Sequence, residues 1–244
     1  MDNRTEQLAD GVWRVEVGYY VNAYVVAADG RGDAEGLLLL DTGWRRSGRR
    51  LVRSIHHLGL DPRAVRDVLL SHWHADHAGS AARFARSSAA PTVHVGEADR
   101  PVVDGTAPAP AGRRSTTHLG RLLHRGGVYR PPAPVPAPHP LVDGQHFEAG
   151  GGLQVVAAPG HTPGHCAFWL PERGVLVAGD AVWNVWFLSR GPRFSCSALP
   201  ARRATLRRLA GFDAGVLALG HGPPLADRAQ RRLATLADRT PDAG

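Results

Sequence analysis

Residues 65–79 read Val-Arg-Asp-Val-Leu-Leu-Ser-His-Trp-His-Ala-Asp-His-Ala-Gly, an apolar run that leads directly into four metal-ligating side chains. The first six residues have the β-branched and aliphatic content of a short strand. In extended chain, side chains two apart face the same way, so His72, His74 and Asp76 can converge on one side. A turn at the start of a following helix brings His77 round beside them. Neutral imidazoles and a carboxylate suit Zn2+, and a bound cation offsets the cost of gathering such groups in one place. A solvated histidine-rich loop is the plain alternative. Four ligand-type residues straight after an apolar strand favour the metal.

Working outward, the same arrangement recurs. His161 follows a strand expected over 153–158, Asp180 one over 175–178, and His221 one over 216–219. Each has a glycine beside it (Gly160, Gly179, Gly220, Gly222), which permits tight turns and close backbone approach. Strands hold such residues rigidly while their loops leave room for a ligand. Together with the first cluster these donors are too many for one tetrahedral zinc, and suit two metals that share a carboxylate.

The rest of the chain supplies alternating strands and helices. Further strands are expected over 12–17, 21–27, 37–40, 92–95 and 166–170, and helices over 47–60, 78–86, 200–209 and 226–236. Two half-chains of similar rhythm fit an α/β fold of four layers, an αββα sandwich whose outer helices cover two sheets. The stretch 101–140 is rich in Pro, Ala and Gly, with one helix candidate at 117–125. We expect an irregular surface excursion or lid inside a single domain spanning 1–244.

Composition sets outer limits. With 43% hydrophobic and 21% charged residues, the chain can form a packed core. Its 29 basic residues against 22 acidic ones give a net charge of +7, and every basic residue is an arginine. Arg45, Arg46, Arg49, Arg50 and Arg53 form one stretch, and Arg202, Arg203, Arg207 and Arg208 another. Helical spacing makes both expected solvated outer faces, so a nucleic-acid partner is not expected. The first residues lack a secretory pattern, and the longest aliphatic run, Leu37–Leu40, is far too short for a membrane span. A cytoplasmic protein with no membrane partner is the expectation. Cys166 and Cys196 are expected to be buried and apolar in character, not a disulfide framework.

Five segments, LLLLDTG (37–43), SHWHADHAG (71–79), PGHTPGH (159–165), VLVAGD (175–180) and GHGPP (220–224), carry a family likeness. With them the sequence resembles the metallo-β-lactamase-fold hydrolase superfamily. The resemblance implies an αββα sandwich with a dinuclear site at the edge where its sheets meet. It implies that His72, His74 and His161 hold one metal, that Asp76, His77 and His221 hold the other, and that Asp180 bridges. Asp41 would steady the site without ligating. Two Zn2+ per chain are implied, though Fe or Mn would also suit. Water shared by two divalent cations loses a proton near neutral pH. Asp76 would orient that hydroxide and take up a proton, which makes it the catalytic residue.

The implied reaction is hydrolysis of a carboxylic thioester, ester or lactone, with a small-molecule acyl substrate. A metal-dependent nuclease or phosphodiesterase, or a β-lactam hydrolase, is the alternative in the same fold. Trp73, Trp183, Trp186 and Phe187 could wall a pocket for an apolar acyl group, or equally belong to the core. PGHTPGH is similar to the loop of glyoxalase II and related thioesterases and lactonases, with His165 in structural support. The C-terminal segment 226–244 lacks the basic run with which glyoxalase II binds its glutathione thioester.

Overall fold

The computed structural model describes residues 5–27, 36–110, 130–148, 152–193 and 196–239. Seven strands lie side by side in chain order: β1 (Thr5–Ala9), β2 (Val12–Glu16), β3 (Asn22–Ala27), β4 (Leu37–Leu40), β5 (Val65–Leu70), β6 (Thr92–Gly96) and β7 (His139–Leu141). Neighbours pair antiparallel from β1 to β4 and parallel from β4 to β7. Parallel pairing needs long crossovers. Helix α1 (Gly48–His57) lies in the first, and α2 (Ala75–Ala78) and α3 (Ala81–Ala85) in the second. Short helix α4 (Arg100–Val103) follows β6.

The second sheet contains β8 (His146–Phe147), β9 (Leu153–Ala157), β10 (Cys166–Leu170), β11 (Val175–Val177) and β14 (Val216–Ala218), ordered β14-β11-β10-β9-β8. A separate hairpin joins β12 (Trp183–Asn184) to β13 (Leu188–Ser189). Helices α5 (Leu199–Ala210) and α6 (Ala229–Asp238) complete the chain.

Strand β4 shows why these elements form layers. All four of its leucines are buried, so the run has no polar alternation. Leu37 and Leu39 pack with Leu51 and Ile55 of α1, whereas Leu38 and Leu40 meet Phe168 and Val177 of the other sheet. A third cluster joins Leu176 and Leu217 to Leu206 and Leu209 of α5 and Leu233 of α6. Helix, sheet, sheet and helix are therefore stacked in the expected αββα order. Burying any one of these leucines contributes about 1.5–3 kcal/mol. No helix among the described residues is long and apolar enough to cross a membrane.

Three expectations need correction or comment. The helix over 78–86 is two helices, broken at Gly79-Ser80. A side chain on Gly79 would collide with the backbone of Ala75 and Arg45, and Ser80 donates to the Trp44 carbonyl at 2.6 Å while accepting from Gly48 N–H. The loop after β4 thus crosses where one straight helix would stand. Along 101–140, the described flanks include α4 and β7, and Val135 is buried with its N–H on the Val103 carbonyl. The helix expected over 117–125 lies outside the described residues.

Candidate metal centre

The parallel pairs β4–β5 and β11–β14 end at one edge of the sandwich. The loops after these four strands carry Asp41, His72–His77, Asp180 and His221, and His161 comes from the loop between β9 and β10. Cross-sheet hydrogen bonds lock that edge. Cys166 N–H donates to the Ser71 carbonyl at 2.8 Å, and the Tyr24 hydroxyl donates to the Leu219 carbonyl at 2.6 Å. The Asn22 amide donates to the carbonyls of Leu219 and Gly222 on either side of His221. A side chain on Gly220 would strike the Asp180 carboxylate, so only glycine fits there.

The donors gather in two groups. His72 Nε2 and His161 Nε2 lie 3.0 and 2.9 Å from His74 Nδ1. His221 Nε2 lies 3.3 Å from His77 Nε2 and 3.4 Å from Asp76 Oδ2. Asp180 reaches both groups: its carboxylate is 3.4 Å from His77, 3.3 Å from His161 and 3.3 Å from His221. All seven side chains are buried. Helix α2 starts at Ala75, and its turn brings His77 beside the extended pair His72 and His74, as the spacing predicts.

Asp41 orients one ring in each group, His72 through Ser71 and His77 directly. It sits in the left-handed region (φ 61°), and its carboxylate accepts from Ser71 N–H and the Ser71 hydroxyl, both at 2.7 Å. The Ser71 hydroxyl hydrogen is engaged in donating to Asp41, so its oxygen accepts from His72 Nδ1–H at 3.0 Å, which leaves the His72 Nε2 lone pair facing inward. His77 Nδ1 likewise faces Asp41 at 2.9 Å. Facing lone pairs at such distances repel unless a proton or a cation lies between them. Asp76 Oδ1 and Asp180 Oδ1 are buried with no hydrogen-bond partner. Orphaned oxygens and inward lone pairs without a thiolate are a nitrogen–oxygen donor set that fits divalent cations.

A family model described as the metallo-beta-lactamase superfamily matches residues 17–221. The chain belongs to that superfamily. It is similar to N-acyl homoserine lactonase AttM of Azorhizobium caulinodans, at 30% identity over 83% of this chain and 75% of that protein. It is also 29% identical to the uncharacterized protein YobT of Bacillus subtilis over 66% of this chain, and the match spans about three fifths (61%) of YobT. Among solved structures, the metallo-beta-lactamase family protein TTHA1429 of Thermus thermophilus matches with a TM-score of 0.71 and 29% identity, over 96% of this chain and 80% of that one. With the superfamily comes the coarse class, a metal-dependent hydrolase.

Electrostatics in this site of a metallo-beta-lactamase superfamily member divides its imidazoles. Burial pushes His74 down to about 4 and lowers His72 and His161 well below the ordinary histidine value. Burial also opposes the charge on His77 and His221, yet Asp180 and Asp76 outweigh it and raise them to about 9 and about 10. Burial likewise works against the carboxylates, but His77 and His221 hold Asp76 below its ordinary value, and His221, His77 and His161 do the same for Asp180. Both carboxylates are therefore ionised at neutral pH.

The aromatic residues separate. Trp73 belongs to the helix-side core and meets His74 edge-on, with ring centroids 4.4 Å apart. Trp183 stacks on His221 at 4.0 Å. Trp186 and Phe187, at the hairpin tip, are 81% and 69% exposed. His165 accepts Asp180 N–H at 3.0 Å, and both cysteines are buried and unpaired.

Two residues escaped the sequence reading. Asp99 is buried and accepts from Trp73 N–H (3.2 Å), the Thr162 hydroxyl (2.6 Å) and Gly164 N–H (2.8 Å). It clamps the His72–His74 loop to the His161 loop, and burial pushes its carboxyl up to about 6 despite these three donors. A lone aspartate in GEADR carried no signal of this. Arg202 departs from the expected solvated face: it is 2% exposed, with its guanidinium 3.5 Å from the carbonyls of Asp180 and Pro192. The backbone of Gly160 lies against Arg202, which turns this side of α5 inward.

Proposed function

We propose that this chain hydrolyses an activated carboxylic acyl bond, in a thioester, ester or lactone, with two divalent cations, zinc by preference. His72, His74 and His161 would hold one, Asp76, His77 and His221 the other, with Asp180 shared. The observation that supports this most is the Asp180 carboxylate, within 3.4 Å of imidazoles from both groups. Cations held there supply Lewis acidity toward a carbonyl oxygen and ready deprotonation of water near neutral pH.

The chain's own residues do the rest. Asp76 is ionised and keeps Oδ1 free of partners, so that atom can accept a hydrogen bond from the attacking water and draw off its proton. As the water oxygen adds to the carbonyl carbon, the C–S or C–O bond breaks, and the proton from Asp76 passes to the leaving sulfur or oxygen. Asp41 and Ser71 hold the His72 and His77 rings in the required orientation. The exposed Trp186 and Phe187, at the tip of the hairpin whose base residue Trp183 stacks on His221, offer apolar surface for an acyl chain. The name of AttM, an N-acyl homoserine lactonase, is consistent with acyl-bond chemistry.

A hydrolysis screen of acyl thioesters, lactones, β-lactams and phosphodiesters tests this reading. The expected result is turnover of a thioester, ester or lactone, close to two metals per chain by elemental analysis, and loss of activity on chelation with recovery on adding zinc. A metal-free protein whose activity ignores a strong chelator would overturn it, as would turnover of phosphodiesters alone.

A further inference from the structure

The arginine stretch of α1 does more than face solvent. Arg45, Arg46, Arg49, Arg50, Arg53 and Arg83 surround one cleft of about 1020 Å³. Among the described residues no carboxylate pairs with any of the six. Glu16, the one acidic residue in the lining, is engaged by Arg14 at 3.4 Å. The first turn of α1 contributes to the same concavity and holds no acidic residue; the Ser47 hydroxyl donates away to the Val17 carbonyl, and Ser80 accepts from Gly48 N–H. Unneutralised guanidinium groups converging on one concavity make a place for several negative charges.

Both walls of this cleft run back to the metal centre. Arg45 follows Asp41, which holds His77, by four residues, so at most about 14 Å of chain separates them. The opposite wall, Val17 to Tyr19, leads to Val21, which bridges to His221. We propose that the cleft binds the phosphate groups of a nucleotide-borne acyl thioester, of the coenzyme A class, whose flexible arm carries the acyl group to the cations. The proposal rests on the acyl-hydrolase reading above and narrows its substrate.

Shape separates this occupant from other polyanions. The volume is that of a small-molecule site, about 300–1,000 Å³. Trp44 in the lining and Tyr19, 95% exposed, give flat surfaces on which a purine can stack. A nucleic acid would need a continuous basic track. Arg203, Arg207 and Arg208 instead lie on α5, in the opposite outer layer.

The test compares metal-loaded protein with the triple variant Arg45→Gln/Arg49→Gln/Arg83→Gln, all three at exposed positions. Calorimetry with free coenzyme A, which has no acyl bond to cleave, should find binding weakened about tenfold or more in the variant. For an acyl-coenzyme A, KM should rise by a similar factor with kcat little changed. The same acyl group on N-acetylcysteamine, which lacks the nucleotide, should be hydrolysed alike by both proteins. Coenzyme A binding lost in the variant supports the cleft even where no thioester is hydrolysed; in that case the acyl-hydrolase reading fails. No binding of coenzyme A by the parent protein, or equal binding by the variant, overturns the proposal. So does binding of an acidic carrier protein or an RNA oligomer in its place.

Discussion

The metal centre and the rim around it are built on opposite principles. In the centre, the seven donor side chains are buried, and loops from both sheets are tied together by Asp41, Asp99, Asn22 and Tyr24. At the rim, Tyr19, Trp186 and Phe187 stand in solvent, and the cleft arginines have no carboxylate partner among the described residues. The fold therefore fixes the donor side chains, while the rim groups to which the proposals assign the substrate's periphery are left nearly unconstrained. Substitutions in the centre should change turnover or integrity. Substitutions at the rim should change KM.

The largest effect should come from Asp76. Asp76→Ala removes the free oxygen that would orient water and move its proton, so kcat should fall by about 10²–10⁴. Stability should change far less, because at saturating zinc His77, His221 and Asp180 would remain to hold the cation. Steady-state kinetics at saturating zinc, with a melting curve alongside, checks both statements. Unchanged turnover would remove the proposed role of Asp76.

Next is the clamp. Asp99→Ala leaves the N–H groups of Trp73 and Gly164 buried without an acceptor, at a cost of about 1–3 kcal/mol each. The two loops it joins carry His72, His74 and His161, so zinc affinity should also drop about 10–100-fold. Denaturant unfolding and metal competition measure the two losses. If affinity held while stability fell, the clamp would be a fold element only.

The metal-stripped protein should behave differently with pH from the loaded one. Without cations, His77 and His221 are raised from 6.5 to about 9 and about 10 by the carboxylates around them. A histidine that binds its proton more tightly in the folded state stabilises the fold fully below about 6.5, and that contribution is lost as pH rises through 9 to 10. The melting temperature of the stripped protein should accordingly fall by several degrees between pH 7 and 10, while cations in place of those protons keep the loaded protein flatter. A flat profile for the stripped protein would mean that the site is not held together by protons when empty of metal.

How much of this was legible in the sequence follows from the same contrast. The donors could be read because each follows a strand, and strand direction fixes where its end emerges. The strands themselves showed through buried runs such as Leu37–Leu40, whose lack of alternation marks cover on both faces. The clamp by Asp99 could not be read, since its three partners come from residues 73, 162 and 164 and only the folded chain brings them to it. Nor could the inward turn of Arg202 or the break at Gly79-Ser80, because each answers to a segment far away in sequence. The short strands β12 and β13 were missed for another reason: two residues each are too few to show any period.

The smallest predicted effect sharpens the comparison from the rim side. Trp186 and Phe187 cap a hairpin whose other aromatic residue, Trp183, stacks on His221, so the hairpin is anchored at its base and exposed at its tip. Exposed apolar rings contribute to binding only when a ligand covers them, at about 25 cal/mol per Å² of surface removed from water. Trp186→Ser with Phe187→Ser should therefore raise KM several-fold for a long-chain acyl substrate and less for a short one. Because both rings are already in water, folding stability should change by under about 0.5 kcal/mol. A chain-length series of substrates is the deciding measurement. An equal penalty at every length would assign the hairpin to shaping the His221 loop, whereas a penalty that grows with chain length would assign it to the acyl chain.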